Sequence, residues 1–476
     1  MRSLSQLSSL CLAAASLAAA SSNACSTLNV DVAVVGGGAS GAYAAVRLKE
    51  DYNKKVVLIE KEKRLGGHVA EYTDPTTGIR FEYGVQQFND YGPARTFFQR
   101  LGITPGPPRA NNLIPGRQVV DFKTGVPVNY TFPLPADQTA AFRRFLDAVE
   151  PFESYLLPGY WNFPPPGRIP ADLLLPFSQF VEKYDIHDAA YTIFQVTGFG
   201  AGDWDRAITL YLLSTFPQPM IRAFLGNGTL FVPESQRNHD VYDSIQAHLN
   251  NEVLYNSTVE KSDRKPNGHT LWVKNSFSGS CTIVQAKKLI VAIEPTPANM
   301  KPFSLDAKEQ GVLSKLKYLT VHVGLLTHPS LPIGGQLVNM PPAAAGGNYL
   351  ALPKPTLIPR FDHMGLNSTV FRAMVIGSGS LSVPEAQDVV RSSINALVAA
   401  GSVPNPGSGT VEFKAWANHG SMHAQFSTDD IRKGYINKLY GLQGHRGTWW
   451  TGGAFSMQLQ SVLWAFDDVL LDKMYG

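Results

Sequence analysis

Cysteine is scarce in this chain: Cys11, Cys25 and Cys281 are the only three in 476 residues. No CxxC spacing points to a metal, and two cysteines beyond the leader do not make a disulfide framework. A Cys25–Cys281 bridge is the less favoured arrangement. Charge is also sparse, with 17% Asp, Glu, Lys and Arg where about a quarter is ordinary. The net charge is only +3, and no basic run is interleaved with aromatics, so nucleic acid is excluded as a partner. No run reaches the roughly eighteen apolar residues that a membrane-spanning helix needs, so no stable membrane insertion is expected. Repeats and long low-complexity tracts are absent as well. What remains is a length that suits two intertwined domains or one large α/β body with a sizeable core.

The first residues differ from the rest. Arg2 supplies a short positive region, and Leu10 to Ala20 is apolar and alanine-rich. Small residues at Ala18-Ala19-Ala20 or Ser22-Asn23-Ala24 offer cleavage sites, so residues 1–24 read as a secretory signal peptide. Sequons at Asn129, Asn227, Asn256 and Asn367 agree with a secreted or secretory-lumen glycoprotein.

The most informative stretch follows at once. Val30-Asp31-Val32-Ala33-Val34-Val35 is an apolar, β-branched run that stops at Gly36-Gly37-Gly38-Ala39-Ser40-Gly41. Helical spacing continues from Ala42 to Glu50, and a second apolar run, Val56 to Ile59, ends on Glu60. Strand, tight turn, helix, strand and acid together give GxGxxG its meaning. Gly36 makes the turn, Gly38 lets the backbone approach a pyrophosphate, and Gly41 lets helix and strand pack closely. The pyrophosphate would lie on free N–H groups at the helix start, flanked by Ala39 and Ser40. Glu60, 24 positions after Gly36, would accept from ribose hydroxyls. Arg64-Leu65-Gly66-Gly67-His68 then offers a side-chain-free passage for a chain that covers the dinucleotide, which favours FAD over NAD.

Residues 105–219 are proline-punctuated and contain helix-like pieces such as Ala140 to Leu157. A strand-rich pattern returns over residues 226–297 and ends in a buried parallel strand at Lys287 to Ala292. Leu316 to Thr327 and Phe371 to Ile376 read as strands of a different layer. Near the C-terminus, glycines 441, 444 and 447 lead to Trp449-Trp450-Thr451-Gly452-Gly453-Ala454 and an amphipathic helix.

These motifs in this order resemble the flavin-containing amine oxidase superfamily: Gly36-x-Gly38-x-x-Gly41, Glu60, Arg64-Leu65-Gly66-Gly67, Glu82-Tyr83-Gly84, Ala292 after the buried strand, and Trp450-Thr451-Gly452-Gly453. Within it the chain is similar to the secreted β-cyclopiazonate dehydrogenase-like flavoproteins of fungal secondary metabolism. The resemblance implies an α/β fold. Its Rossmann-like FAD-binding domain is assembled from residues 28–95, 226–297 and 412–476, and a discontinuous α+β substrate domain comes from 96–225 and 298–411. It further implies that Glu60 holds the adenosine ribose and that Val259 meets the adenine through its backbone. Arg64, Gly66, Gly67 and His68 follow the phosphates, while Gly84, Val85, Gln86 and Gln87 line the isoalloxazine. Gly452 and Gly453 would open a helix facing the flavin's pyrimidine end, where negative charge gathers on reduction.

The chain departs from the superfamily at His68, where an arginine is usual, and at Ala454, where an acid is common. No lysine stands close to the terminal motif, which sets amine oxidation apart from the expected chemistry. His68 has a second reading as the site of an 8α-histidyl bond to flavin. His445 as a base, Trp449 and Trp450 as an aromatic wall, and Gln87 at the flavin edge form the candidate catalytic set, against plain packing and solvated-loop readings. Trp416 and Asn418-His419-Gly420 read as structural. The expected function is oxidation or dehydrogenation of a hydrophobic small molecule by hydride transfer to FAD, with dioxygen a candidate acceptor. Two alternatives stand beside it: a redox-neutral double-bond isomerase of a lipid-like substrate, and a non-catalytic, flavin-stabilised binding protein.

Overall fold

The first β-branched run forms the strand Ser26–Val35, which passes through Gly36 into the helix Ala39–Glu50. These elements are seen in a computed structural model that describes residues 25–108, 116–197, 203–365 and 367–476. The expected leader, residues 1–24, lies outside the described residues. Val32, Val34 and the entire Val56–Ile59 strand are buried, as a parallel strand covered on both faces requires.

A seven-stranded sheet is built around that strand. Ser26–Val35 pairs in parallel with Val56–Ile59 on one side and Cys281–Val291 on the other, and Val56–Ile59 pairs in parallel with Val253–Leu254. Cys281–Val291 changes partner along its length. Its first half pairs antiparallel with Gly268–Asn275, and its last three residues pair in parallel with Thr448–Trp450. The carboxyl ends of five parallel strands therefore converge near Gly36, the edge at which open α/β sheets bind ligands.

The C-terminal helix Gln460–Tyr475 covers this sheet beside Ala39–Glu50. Trp464 is fully buried, stacks on Tyr43 at 5.7 Å between ring centroids, and donates to the Ala39 carbonyl at 3.2 Å. Two aromatic rings and one hydrogen bond thus fix the start of the first helix from behind.

A second, six-stranded sheet runs in the order Glu412–Gln425, Lys317–Thr327, Phe371–Ser378, Arg360–His363, Gln336–Asn339 and Arg117–Val120. The helix Val383–Ala399, opened by a Ser382/Glu385 capping box, buries Val390, Ile394 and Leu397 in the core it shares with one face of that sheet. Glu412–Gln425 corrects the expected domain division. It falls in the third block assigned to the dinucleotide domain, yet it pairs along its length with Lys317–Thr327 of the second sheet.

The cysteines also correct the expectation. Cys25 and Cys281 form a disulfide that ties the start of the described chain to the start of the Cys281–Val291 strand. Ser26 pairs with Thr282 in the parallel ladder, so the register itself brings the two cysteines side by side.

Candidate active site

Two glycine loops meet at the carboxyl edge of the first sheet. Gly36 has φ +105°, and a Cβ there would stand 2.8 Å from the Ala292 carbonyl oxygen, so only glycine makes this turn. The Gly66 N–H donates to the Gly37 carbonyl at 3.0 Å, which brings Gly67 against Gly38. A Cβ on Gly38 would find Gly67 Cα at 3.7 Å and nothing nearer, leaving space over the helix start. Gly38 is the N-cap of Ala39–Glu50 and makes no side-chain cap, so the first N–H groups of the helix face that space. A group with pyrophosphate chemistry fits this cradle.

Glu60 is buried at the end of its strand. Its carboxylate accepts from Gly37 N–H at 2.6 Å and from Glu62 N–H at 2.8 Å. Burial raises its pKa, and the two N–H groups work against that rise. The Ser257 N–H donates to the Glu60 carbonyl, so the strand carrying Val259 starts from the acid's own backbone. Val259 itself is a buried core residue. Tyr255, which the sequence did not single out, has a buried hydroxyl without a hydrogen-bond partner among the described residues, and its pKa is pushed up to about 12 by burial and by Glu60. Arg64 is drawn away to Glu71, which also holds Arg237 through two hydrogen bonds of 2.7 Å.

His68 lies where the second glycine loop turns toward the second sheet. Its carbonyl accepts from Val85 N–H at 3.2 Å, and its ring stands 4.8 Å from that of His419 on the Glu412–Gln425 strand. Burial lowers the pKa of His68 and His419, and lowers that of His423 to about 3, so all three are neutral around pH 7. The Asn418-His419-Gly420 stretch is a strand here, and its His419 borders the site. Val85 is held through its carbonyl by Asn238 Nδ2 at 2.8 Å. Gln86 folds back onto the Gly84 carbonyl at 2.9 Å and is exposed, whereas Gln87 is half-buried.

The C-terminal motif departs from its expected role in three ways. Gly452 and Gly453 do not open a helix, because Phe455 and Met457 turn inward as fully buried anchors and the helix starts at Gln460. Trp450 is fully buried and stacks near Phe455 at 6.1 Å, and Gln443 holds both its N–H and its carbonyl at 2.8 Å. It is core, not a substrate wall. Trp449 packs against Gly444, where a Cβ would stand 3.2 Å from its ring. His445 is 2.7 Å from Asp306. It precedes Thr448, which pairs with Leu289, while Trp450 pairs with Val291 at the ligand edge. The three-residue strand thus carries the chain away from His445, which stays with Asp306.

What the structure brings to the edge instead is Glu294. Burial pushes its pKa up to about 8, against the Gln458 amide, which favours the charged form. Tyr318, from the second sheet, lies close enough for Glu294 to raise its own pKa further. The signal for Glu294 was in the sequence: an acid three residues past the end of a buried parallel strand, much as Glu60 follows its own strand.

Residues 34–101 match the family model described as an NAD(P)-binding Rossmann-like domain. Over 432 residues, 90% of this chain and 88% of the relative, the sequence is 34% identical to the FAD-dependent oxidoreductase pigF of Monascus ruber. The chain belongs to the FAD-dependent oxidoreductases. This oxidoreductase is also 30% identical to the β-cyclopiazonate dehydrogenase of Aspergillus oryzae over 449 residues, 94% of this chain and 93% of that one. Among solved structures, a CLA-producing fatty acid isomerase from P. acnes superposes with a TM-score of 0.70 at 15% identity, covering 94% of this chain and 99% of that one. Wild-type putrescine oxidase does so with a TM-score of 0.58 at 15% identity, covering 94% and 100%. These two share the fold with the present oxidoreductase. Among the described residues, no helix is long and apolar enough to cross a membrane.

Proposed function

We propose that this oxidoreductase dehydrogenates a hydrophobic small molecule of secondary metabolism, using FAD held between its two glycine loops, in the secretory lumen or outside the cell. The observation that carries the reading is the cradle in which Gly67 packs against Gly38 and leaves open space above a helix N-terminus. FAD, when bound, supplies a hydride acceptor. The chain's own residues do the rest: the Ala39–Glu50 helix start faces the pyrophosphate, and Glu60 and Tyr255 border the ribose. His68, Gly84 and Gln87 lead toward the ring.

A hydrophobic substrate is favoured by the charge-poor surroundings. The histidines at the edge are neutral, and Tyr318, Leu319, Met374 and Ala424 of the second sheet pack half-buried against the main core. Such a site is apolar with a few placed polar groups. Secretion is supported by the leader and by the Cys25–Cys281 disulfide, since disulfides persist in oxidising compartments. Asn129, Asn227 and Asn367 are exposed and open to glycosylation.

The test incubates purified holoprotein without oxygen with β-cyclopiazonate, an aromatic polyketide and an unsaturated fatty acid, then admits dioxygen. Bleaching of the flavin with loss of two hydrogens from one compound supports the reading. Conversion with unchanged mass points to the isomerase, and flavin that no compound bleaches points to the binding protein.

A further inference from the structure

Glu294 emerges beside the glycine cradle. Ala292, two residues earlier, donates to the Val35 carbonyl at 2.8 Å, and Ile293 Cγ2 lies 2.7 Å from where a Cβ on Gly36 would be. The Glu294 carbonyl accepts from Thr296 N–H and from Asn299 Nδ2, both at 2.8 Å, so its backbone is fixed. Gln458 reaches it from the C-terminal loop and lies over Gly453, where a Cβ would stand 1.9 Å from the Gln458 amide nitrogen. Tyr318 reaches it from the second sheet. Three elements distant in sequence thus bring a carboxyl, a phenol and an amide to the seam between the two sheets.

Glu294 Oε2, Tyr318 Oη and Gln458 Nε2 are all shut off from solvent; Gln458 stands near enough to favour the Glu294 carboxylate, but none of the three atoms completes a hydrogen bond among the described residues. A buried polar atom left unpaired is costly, and three at one place point to a ligand that completes them. The titratable groups that face this carboxyl are Tyr318 and, behind it, Tyr435.

Resting on the flavin reading above, we propose that Glu294 is the acid–base residue of this site, with Gln458 positioning it and Tyr318 sharing its hydrogen bonds. The step balances. A substrate C–H bond would break, and both its electrons would leave with the hydrogen as hydride to the acceptor that bound FAD would supply. The proton on the neighbouring nitrogen, oxygen or carbon passes to the Glu294 carboxylate, and a double bond forms between the two substrate atoms. A carboxyl that titrates near neutral pH suits this work, because the ideal pKa of a general base lies near the working pH. Burial, which pushes Glu294 up to about 8, supplies that tuning.

The test uses the holoprotein, and its first arm needs no substrate. The visible flavin spectrum is recorded from about pH 6 to pH 10, a window spanning the Glu294 titration, for wild type, Glu294→Gln and Gln458→Leu. Wild type shows a single titration near pH 8 that Glu294→Gln abolishes. Gln458→Leu moves it to higher pH, because the amide no longer favours the carboxylate. FAD per chain stays the same in all three. In the second arm, Glu294→Gln slows bleaching by whichever compound of the panel above bleaches the wild type, by about 10²–10⁴-fold. A Glu294→Gln holoprotein with full flavin, the wild-type titration and the wild-type bleaching rate overturns the proposal. A colourless wild-type protein overturns the cofactor reading instead, and this proposal with it.

Discussion

Cys25 is disulfide-bonded to Cys281, 256 positions away in sequence and directly across a parallel strand pair. The bond closes a loop around more than half of the chain and ties down the start of the Ser26–Val35 strand. Replacing either cysteine with serine should cost about 2–4 kcal/mol of stability. Non-reducing peptide mapping of the purified protein should recover the Cys25 and Cys281 peptides as one linked species, and reduction should lower the melting temperature. Free thiols at both positions in protein purified without reductant would contradict the pairing.

A second prediction concerns the ion pair of Arg264 and Glu309, whose side chains are both fully buried. Arg446 also donates to Glu309 at 3.1 Å. Glu309→Gln leaves two guanidinium groups facing a neutral amide, and breaking a buried pair in this way costs about 3–5 kcal/mol. Lys287→Ala, which removes a surface partner of Asp31, should cost under about 1 kcal/mol. Denaturant melts of the two variants check the contrast.

The dinucleotide element was legible because its signals are local. Strand, glycine turn, helix and strand all fall between Ser26 and Ile59, and each residue type there has one physical task. The reach of Glu412–Gln425 was not legible. Trp416, His419 and His423 interrupt any clean alternation, and the strand's partner lies almost a hundred residues away, at Lys317–Thr327. His445, Trp449 and Trp450 misled for a different reason. Closeness in sequence to Gly452-Gly453 does not carry side chains to the same place when a strand lies between, because even three strand residues move the chain along the sheet while Asp306 keeps His445 behind and the core takes Trp450. Glu294 was legible in principle, since it repeats the strand-then-acid pattern of Glu60. Tyr318 and Gln458 become site residues only once the second sheet and the C-terminal loop close over it.

It follows that His445→Ala should leave FAD content and turnover within about twofold of wild type, far from the loss expected of a missing general base. Its contact with Asp306 is a half-exposed pair worth under about 1 kcal/mol. A hundredfold fall in turnover at unchanged flavin content would return His445 to the active site.

Acid should act through the histidines beside the second glycine loop. Burial depresses His68, His419 and His423 below the ordinary 6.5, with His423 lowered to about 3. The unfolded chain therefore binds protons that the folded chain refuses. Their contribution to stability is fully present above pH 6.5 and is lost as pH falls from 6.5 through about 3. Melting temperature should drop across that window, and His423→Gln should flatten the slope without changing the value at neutral pH by a comparable amount. An equal slope in wild type and variant would contradict the assignment.

The most direct measurement is FAD per chain in purified wild type and Gly38→Val, alongside their melting as apoproteins. A Cβ on Gly38 meets no protein atom closer than 3.7 Å, so the variant should fold and its apoprotein should melt near the wild type. The added side chain fills the space that the pyrophosphate needs. The account predicts a yellow wild type with about one FAD per chain and a folded variant with less than about a tenth of that, as expected where glycine must let the backbone approach the ligand. A colourless wild type, or a folded Gly38→Val variant that keeps its full flavin, would contradict it.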